Sequence, residues 1–485
     1  MRTLPSGALD LVRDTSVNGI SFSKYLTPSS RSNDSDSTEK DTALRLGGSL
    51  WSWPGGKATL TALLEYRDLA LGDYIQFTSL GDTLSPARSQ TVKSIYMETV
   101  VPIFSEKNSI PGVELLELQI AGRRDEYKTT GATNSLNLPV VDPIVKETNK
   151  IHSTDPTLGL RYRPVRDVTF RGSFGTGFLP PRADQLVTDV PVQYPAIVAQ
   201  ILGLTDPRRG NEPLPGFTLT FGGNPGLLPE DSRSWSFGTI LTPRFLPSFR
   251  MSVDWTKIKK TNNINFLTLT QSNINNELVV PGLITRAAPA PGDPYGVGQI
   301  TGFDSRLRNV AVAEVEAYDM ALSYVRNIGQ WGNLTLRSGA TRQMHHTTQS
   351  TLAAAPEEIA GLASDLRWKG NLGLTWDYRA FAFSWLTTYY DKYWLLSDHS
   401  IVPSQGSASI PRQVYHDMFV GYDFGARGAG DLMANVMDGL QVQLALTNIF
   451  NKEPPVDVYS NPQAFYSSFG DPRMARYSLT LKKRF

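Results

Sequence analysis

Few side chains in this 485-residue sequence are of a type and spacing that could do covalent chemistry. His345 and His346 are adjacent, so on a strand they point to opposite faces, and no sequence-local His, Asp or Glu cluster completes a metal set around them. Glu357-Glu358 has no placed partner carboxylate for glycoside hydrolysis. After Pro356, that pair is expected in the first turn of a short helix within the Ala-rich stretch 352–366, where acidic side chains suit the helix dipole. Gly172, Gly175 and Gly177 depart from the dinucleotide-binding order, and no helical pattern follows them. The absence of cysteine excludes thiolate metal sites, disulfide frameworks and cysteine nucleophiles. Nothing assembles a nucleophile, a base and an oxyanion site, so neither an enzyme nor a cofactor is expected. What remains is binding. Arg161, Arg171 and Arg476 could line a wet interior that attracts an anion, although lumen-facing charge is also ordinary solvated wall.

The elements that would position those arginines are strands. Residues 158–162 and 168–174 alternate apolar and polar on either side of Pro164-Val165-Arg166-Asp167, which is a hairpin signal. Gly175-Thr176-Gly177-Phe178-Leu179-Pro180-Pro181 then ends the pairing, and the next alternating run starts only near Ser232. A very short turn at one end and a very long loop at the other is unusual for a packed soluble sheet, but it is the rule in outer-membrane barrels.

The same asymmetry recurs along the chain. An indistinct strand candidate lies at 15–25, followed by a polar loop over 28–41. Runs at 44–53 and 58–69 flank Pro54-Gly55-Gly56, and runs at 91–104 and 113–127 flank a second turn. A polar loop over 129–154 precedes the first hairpin described above. Long Gly/Pro-rich loops over 177–231 and 262–309 separate later hairpins, at 235–241 with 249–258 and 310–325 with 333–343. Runs at 372–378, 380–390, 414–424, 440–447 and 476–485 bring the total to about sixteen strands. Phe249, Met251, Val253 and Trp255 share one face, with Arg250, Ser252, Asp254 and Thr256 opposite; Leu440, Val442, Leu444 and Leu446 do the same. Aromatics near strand ends (Trp51, Trp53, Tyr66, Trp376, Tyr378, Tyr389, Tyr390, Tyr393, Trp394) are expected to form interfacial girdles.

Composition agrees. Forty Gly, thirty-two Pro and forty-nine Phe, Trp and Tyr favour turns and strands. No run of eighteen apolar residues is present, a test that strands escape because only every second residue meets lipid. A net charge of +1 and the short Lys482-Lys483-Arg484 run give no reason to expect a nucleic-acid partner.

Five segments carry a family resemblance. The stretch with Arg171, Gly177, Phe178 and Pro180 resembles the strand that leads into an extracellular loop of TonB-dependent outer-membrane receptors. Asn224, Pro225, Pro229 and Glu230 resemble the signature that closes that loop, and Asp254-Trp255 with Ile258 is similar to the strand that follows. Asn448, Phe450 and Pro454 resemble the exit from the next-to-last strand, and Arg476 running to Phe485 resembles the last strand. Since Pro fixes φ and Asn accepts turn conformations, these residues are expected to set loop geometry rather than to touch ligand.

The resemblance implies a transmembrane antiparallel β-barrel in the cell outer membrane, capturing a scarce solute of the siderophore, vitamin or glycan class. It implies outer-membrane lipid, the barrel-assembly machinery and, in intact relatives, the TonB system as partners, with the chain itself a monomer. Family barrels have about 22 strands behind a plug domain. Residues 1–485 are therefore expected to be one N-terminally truncated barrel without plug or TonB contact, incompletely closed and unable to transport alone. A passive porin-like channel is the alternative, and a secreted all-β enzyme the third reading.

Overall fold

The computed structural model describes residues 36–485 apart from 79–80, 139, 141–142, 190, 279, 350–354, 364, 397–399, 426–436, 459–465 and 485. Fifteen long strands follow one another in a single antiparallel order: β1 Ser37–Trp53, β2 Gly56–Leu71, β3 Arg88–Phe104, β4 Leu115–Ala132, β5 Lys146–Val165, β6 Val168–Leu179, β7 Glu230–Leu241, β8 Phe249–Phe266, β9 Leu307–Asn327, β10 Asn333–Gln349, β11 Trp368–Tyr378, β12 Phe381–Tyr390, β13 Gln413–Asp423, β14 Leu440–Thr447 and β15 Arg476–Lys483. Each pairs only with its sequence neighbours in this order, as hairpins joined end to end must. The sheet's sixteenth member is the two-residue strand Glu357–Glu358, set against β10. The strand candidate at 15–25 lies outside the described residues.

The register carries the sequence alternation around the wall. Trp255 of β8 faces Phe237 of β7 and Tyr318 of β9, while Asp254 faces Gly238 and Asp319. Leu444 of β14 faces Val420 and Leu479. One face thus carries Leu64, Ile95, Leu158 and Phe237, all about half exposed, and the other carries Arg171, Asp254 and Asp319. In water such an apolar belt would be untenable; against lipid it is the stabilised state. The register is therefore firmly held, because a one-residue slip would carry Arg250 to the lipid side at about 2–4 kcal/mol.

Polar stretches at strand ends remain paired. Residues 37–41 and 146–154, expected as loop, extend β1 and β5: Lys40 pairs with Asp68, and Lys150 with Lys128. Polarity there marks the exit of a continuous hairpin from the apolar belt, not the end of its backbone ladder. The helix expected within 352–366 is absent from its described part. Glu357 and Glu358 pair with Thr348 and Thr347, and Glu358 accepts the His346 and Ala360 backbone N–H groups at 2.9 and 3.0 Å. Those backbone bonds on the barrel rim replace a helical first turn.

All short connections lie at one end of the sheet, where Trp53 pairs with Gly56, Val165 with Val168 and Tyr378 with Phe381. At the other end the long loops build cores of their own. Residues Val192–Tyr194, Phe217–Thr220, Ile300–Asp304 and Ile284–Arg286 form a four-stranded sheet from the two longest loops. Beneath it Leu214, Phe217, Ile274, Leu283, Ile300 and Phe303 are almost fully buried. A second core joins Leu366, Tyr393, Leu395 and Ile410, with Tyr390 packed against it. Tyr390 and Tyr393 therefore leave the expected girdle: they lie past the apolar belt, where loop contacts offer deeper burial than an interface.

β1 and β15 are the two ends of the hydrogen-bonded order, and the described sheet does not close. Both strands run from the long-loop end to the short-turn end.

Candidate functional site

The inner face of β4 to β10 carries a band of paired charge. Arg171 donates to both carboxylate oxygens of Asp254 at 2.7 Å, reaching across β7 at Gly238. A Cβ at Gly238 would overlap the Asp254 carboxylate, so the absent side chain is what lets the two meet. Arg161 pairs with Glu117 at 2.9 Å, and Thr341 donates to Asp319 at 2.7 Å. Glu117, Arg161 and Arg171 border a recess of about 500 Å3 that includes Gln119, Ser173 and Ser236. A neighbouring recess of about 420 Å3, nearer the short turns, is lined by Arg161, Arg163, Arg166, Arg171 and Arg250. Five guanidiniums share that second space; Glu117 and Asp254 engage Arg161 and Arg171 closely, and Glu114 lies 3.7 and 3.8 Å from Arg163 and Arg166, with Glu106 4.0 Å from Arg163. Five guanidiniums against these four carboxylates leave the recess an excess of one positive charge, with Arg250 outside these pairs, and such an excess raises the local concentration of anions.

Above the wall, the cap of long loops is fastened by buried ion pairs. Arg286 binds Asp206 at 2.6 and 2.8 Å and Glu277 at 2.7 and 2.8 Å. Hydrogen bonds to Asp206 and then Glu277 raise its pKa further above the ordinary arginine value. Arg209 pairs with Asp293 at 2.7 Å and with Glu212. Under the cap lies a recess of about 260 Å3 lined by Arg88, Thr129, Asn149, Lys150, Leu186 and Pro225. The Arg88 Nε has no hydrogen-bond partner among the described residues. The second loop core frames a wider opening of about 790 Å3 with Tyr389, Asp391, Lys392 and Arg412 on its lining. Beneath it the Tyr393 hydroxyl donates to Asp457 at 2.7 Å.

The residues singled out from sequence fall at joints of this scaffold. Beyond Gly175, β6 is paired with β7 alone, so Gly177 lies opposite Ser232 while the Phe178 ring packs 5.7 Å from Tyr127; Pro180 starts the loop. Asn224 donates to the Leu307 carbonyl and accepts from the Gly226 N–H, Pro225 lines the recess under the cap, and Pro229 leads into β7. Glu230, buried, accepts the Ile264 N–H at 2.7 Å and pairs with Lys260. Asn448 has φ +50° and clasps Lys452 twice, accepting its N–H and donating to its carbonyl. Phe450 lies against His416, and Pro454 is buried beside Gly470. Arg476 pairs with Asp471 at 2.9 Å at the long-loop end of β15, far from the Arg161–Arg171 wall. Phe485 lies outside the described residues.

His345 and His346 do have carboxylate neighbours: Glu358 at 2.9 Å and Asp365 at 2.5 Å. The chain returns past β10 to supply them, a proximity that sequence spacing hides. Among the described residues no three His, Asp or Glu side chains gather as they would around a metal ion.

The family described as TonB dependent receptor-like, beta-barrel, matches residues 6–449. The chain belongs to this family. Receptor barrels of this kind reside in the outer membrane, which assigns the apolar belt to lipid and the long loops to the cell exterior. Among solved structures, the ferric-catecholate import receptor Fiu of E. coli K12 is 12% identical with a TM-score of 0.52, over 93% of this chain and 55% of that one. The pyoverdine receptor FpvA of Pseudomonas aeruginosa PAO1 is 12% identical with a TM-score of 0.50, over 91% of this chain and 52% of that one. The siderophore receptor PirA of Acinetobacter baumannii is 13% identical with a TM-score of 0.45, over 93% of this chain and 63% of that one. The receptor barrel thus spans between half and two thirds of the length of these relatives. No curated protein matches the sequence.

Proposed function

We propose that this receptor barrel serves uptake of a scarce anionic solute, captured by the extracellular cap and drawn toward the arginine-lined inner wall. The Arg161–Arg163–Arg166–Arg171–Arg250 recess carries this reading. A bulky, negatively charged ferric siderophore fits such a field better than an uncharged glycan or a vitamin. Apart from Arg171, the residues of the five family segments act as scaffold that sets loop geometry. In the cell, the barrel-assembly machinery inserts the chain as a monomer, and the TonB system drives release.

The described sheet supports a further part of this reading. β1 and β15 run in the same direction, so joining them directly would make a parallel pair inside an antiparallel barrel. Closure needs an odd number of additional strands between them. A closed barrel built from these fifteen strands alone is opposed by the same parity.

Fluorescence titration of the detergent-purified chain with a ferric catecholate, a corrinoid and a neutral oligosaccharide tests the ligand class. Saturable binding of the ferric catecholate, weakened at high salt and by Arg163→Gln with Arg250→Gln, is expected. Salt-independent binding of the oligosaccharide alone would contradict the reading.

A further inference from the structure

The inner wall holds two register rows that are built alike and finished differently. In one, Arg171, Gly238 and Asp254 stand opposite one another on β6, β7 and β8, and the guanidinium crosses the glycine to close on the carboxylate at 2.7 Å. In the other, at the long-loop rim, Gly131 of β4 separates Arg88 of β3 from Glu147, the register partner of Gly131 on β5. A Cβ at Gly131 would come within 2.6 Å of the Arg88 Cβ, so here too a missing side chain makes room for arginine. This second row stays open. Among the described residues no ion pair joins Arg88 to Glu147, and the Arg88 Nε, shut off from solvent, has no hydrogen-bond partner. Asp184, within electrostatic reach of Arg88, is held instead by Arg182 at 2.8 Å. A guanidinium drawn out of water with a donor unfilled is costly until an acceptor reaches it.

An acceptor has a place to sit. The recess of about 260 Å3 beside Arg88 has Thr129 and Asn149 on its barrel side and Ala183, Leu186 and Pro225 on its loop side. The loop side is a strap, residues 182–188, laid against the wall. Thr188 exchanges backbone hydrogen bonds with Thr133 and Ser135 at 2.9 and 2.8 Å, and the Gly223 and Asn224 N–H groups hold the Val187 and Gln185 carbonyls. Ala183 and Leu186 are almost fully buried. We propose that Arg88 seats one oxyanion, a carboxylate or phosphate group of the captured solute, and that filling this seat latches the strap to the wall. The guanidinium offers its planar fork to two oxygens. Thr129 accepts from the Gln90 amide at 3.0 Å, so its own hydroxyl proton can go to the anion. Lys150 adds a second positive charge to the lining. Glu147 opposes the anion, since its carboxylate lines the same recess without cancelling Arg88. An occupant touches wall and strap together, which couples its binding to the position of the strap.

The test titrates the full chain in detergent micelles with inorganic phosphate and, separately, with citrate, reading the heat of binding and the rate of tryptic cleavage after Arg182. Arg88→Gln is expected to weaken binding at least about tenfold, and Arg88→Lys by less, because it keeps the charge and loses the fork. Glu147→Gln is expected to strengthen binding severalfold by removing the facing charge. Saturation should slow cleavage after Arg182 in the parent and leave it unchanged in Arg88→Gln. Binding of either probe in this pattern supports the seat and names the group it takes; binding of neither overturns it. Equal affinity in the parent and Arg88→Gln, no gain in Glu147→Gln, or unslowed cleavage at saturation would also overturn it. If Arg88→Gln does not fold, the loss in Arg88→Lys and the gain in Glu147→Gln decide the question. The seat rests on the anionic-solute reading, and the two fail separately: a ferric-catecholate titration that still responds to Arg163→Gln with Arg250→Gln keeps that reading when the seat fails.

Discussion

Three residues show what single side chains contribute. Asn448 holds a left-handed backbone conformation and two hydrogen bonds to Lys452. Asn448→Ala is expected to cost about 2–4 kcal/mol, combining the positive-φ penalty with a lost buried clasp. Asn448→Gly should recover the conformational part; equal losses in urea unfolding would contradict this division. Gly238 admits the Arg171–Asp254 bridge, and Gly238→Val is expected to destabilise by about 1–3 kcal/mol through overpacking, read in the same unfolding assay. Asp471, beside Arg473 and Arg476 outside the membrane, is held at about 2 by those guanidiniums, chiefly Arg473, against an ordinary value of 3.8. A depressed carboxyl contributes fully above its ordinary value and loses that contribution as pH falls toward 2. Carboxyl-carbon NMR should show its midpoint near pH 2, and a midpoint near 4 would refute the pairing.

At the scale of elements, alternation made much of the wall legible. Phe249 to Trp255 and Leu440 to Leu446 needed only period two, because each strand meets lipid on one side and water on the other. Strand ends were less legible: Lys40 and Lys150 look like loop residues because pairing outlasts the apolar belt. The cap was not legible at all. Its fastening joins Asp206 to Arg286 across 80 residues, and its four strands come from two separate loops. The carboxylates of Glu358 and Asp365 were hidden from His345 and His346 for the same reason, as were Tyr393 and its Asp457 partner. Arg286→Met leaves the buried Asp206 carboxylate unpaired and is expected to loosen the cap by about 3–5 kcal/mol while the barrel stays folded. Limited trypsin digestion should then cut at Arg208 and Arg209. Resistance equal to that of the parent would contradict an ion-pair-fastened cap.

At the scale of the molecule, the whole account depends on a curved wall with lipid on one face and water on the other. The chain has no cysteine, so single cysteines report without background. The direct measurement introduces them one at a time at 250, 251, 252 and 253 of β8 in reconstituted bilayers and follows reaction with a water-soluble maleimide. Arg250→Cys and Ser252→Cys should react, while Met251→Cys and Val253→Cys should be protected and should instead be quenched by a lipid-borne probe. Reaction at all four positions, or protection at 250 and 252 with reaction at 251 and 253, would contradict it.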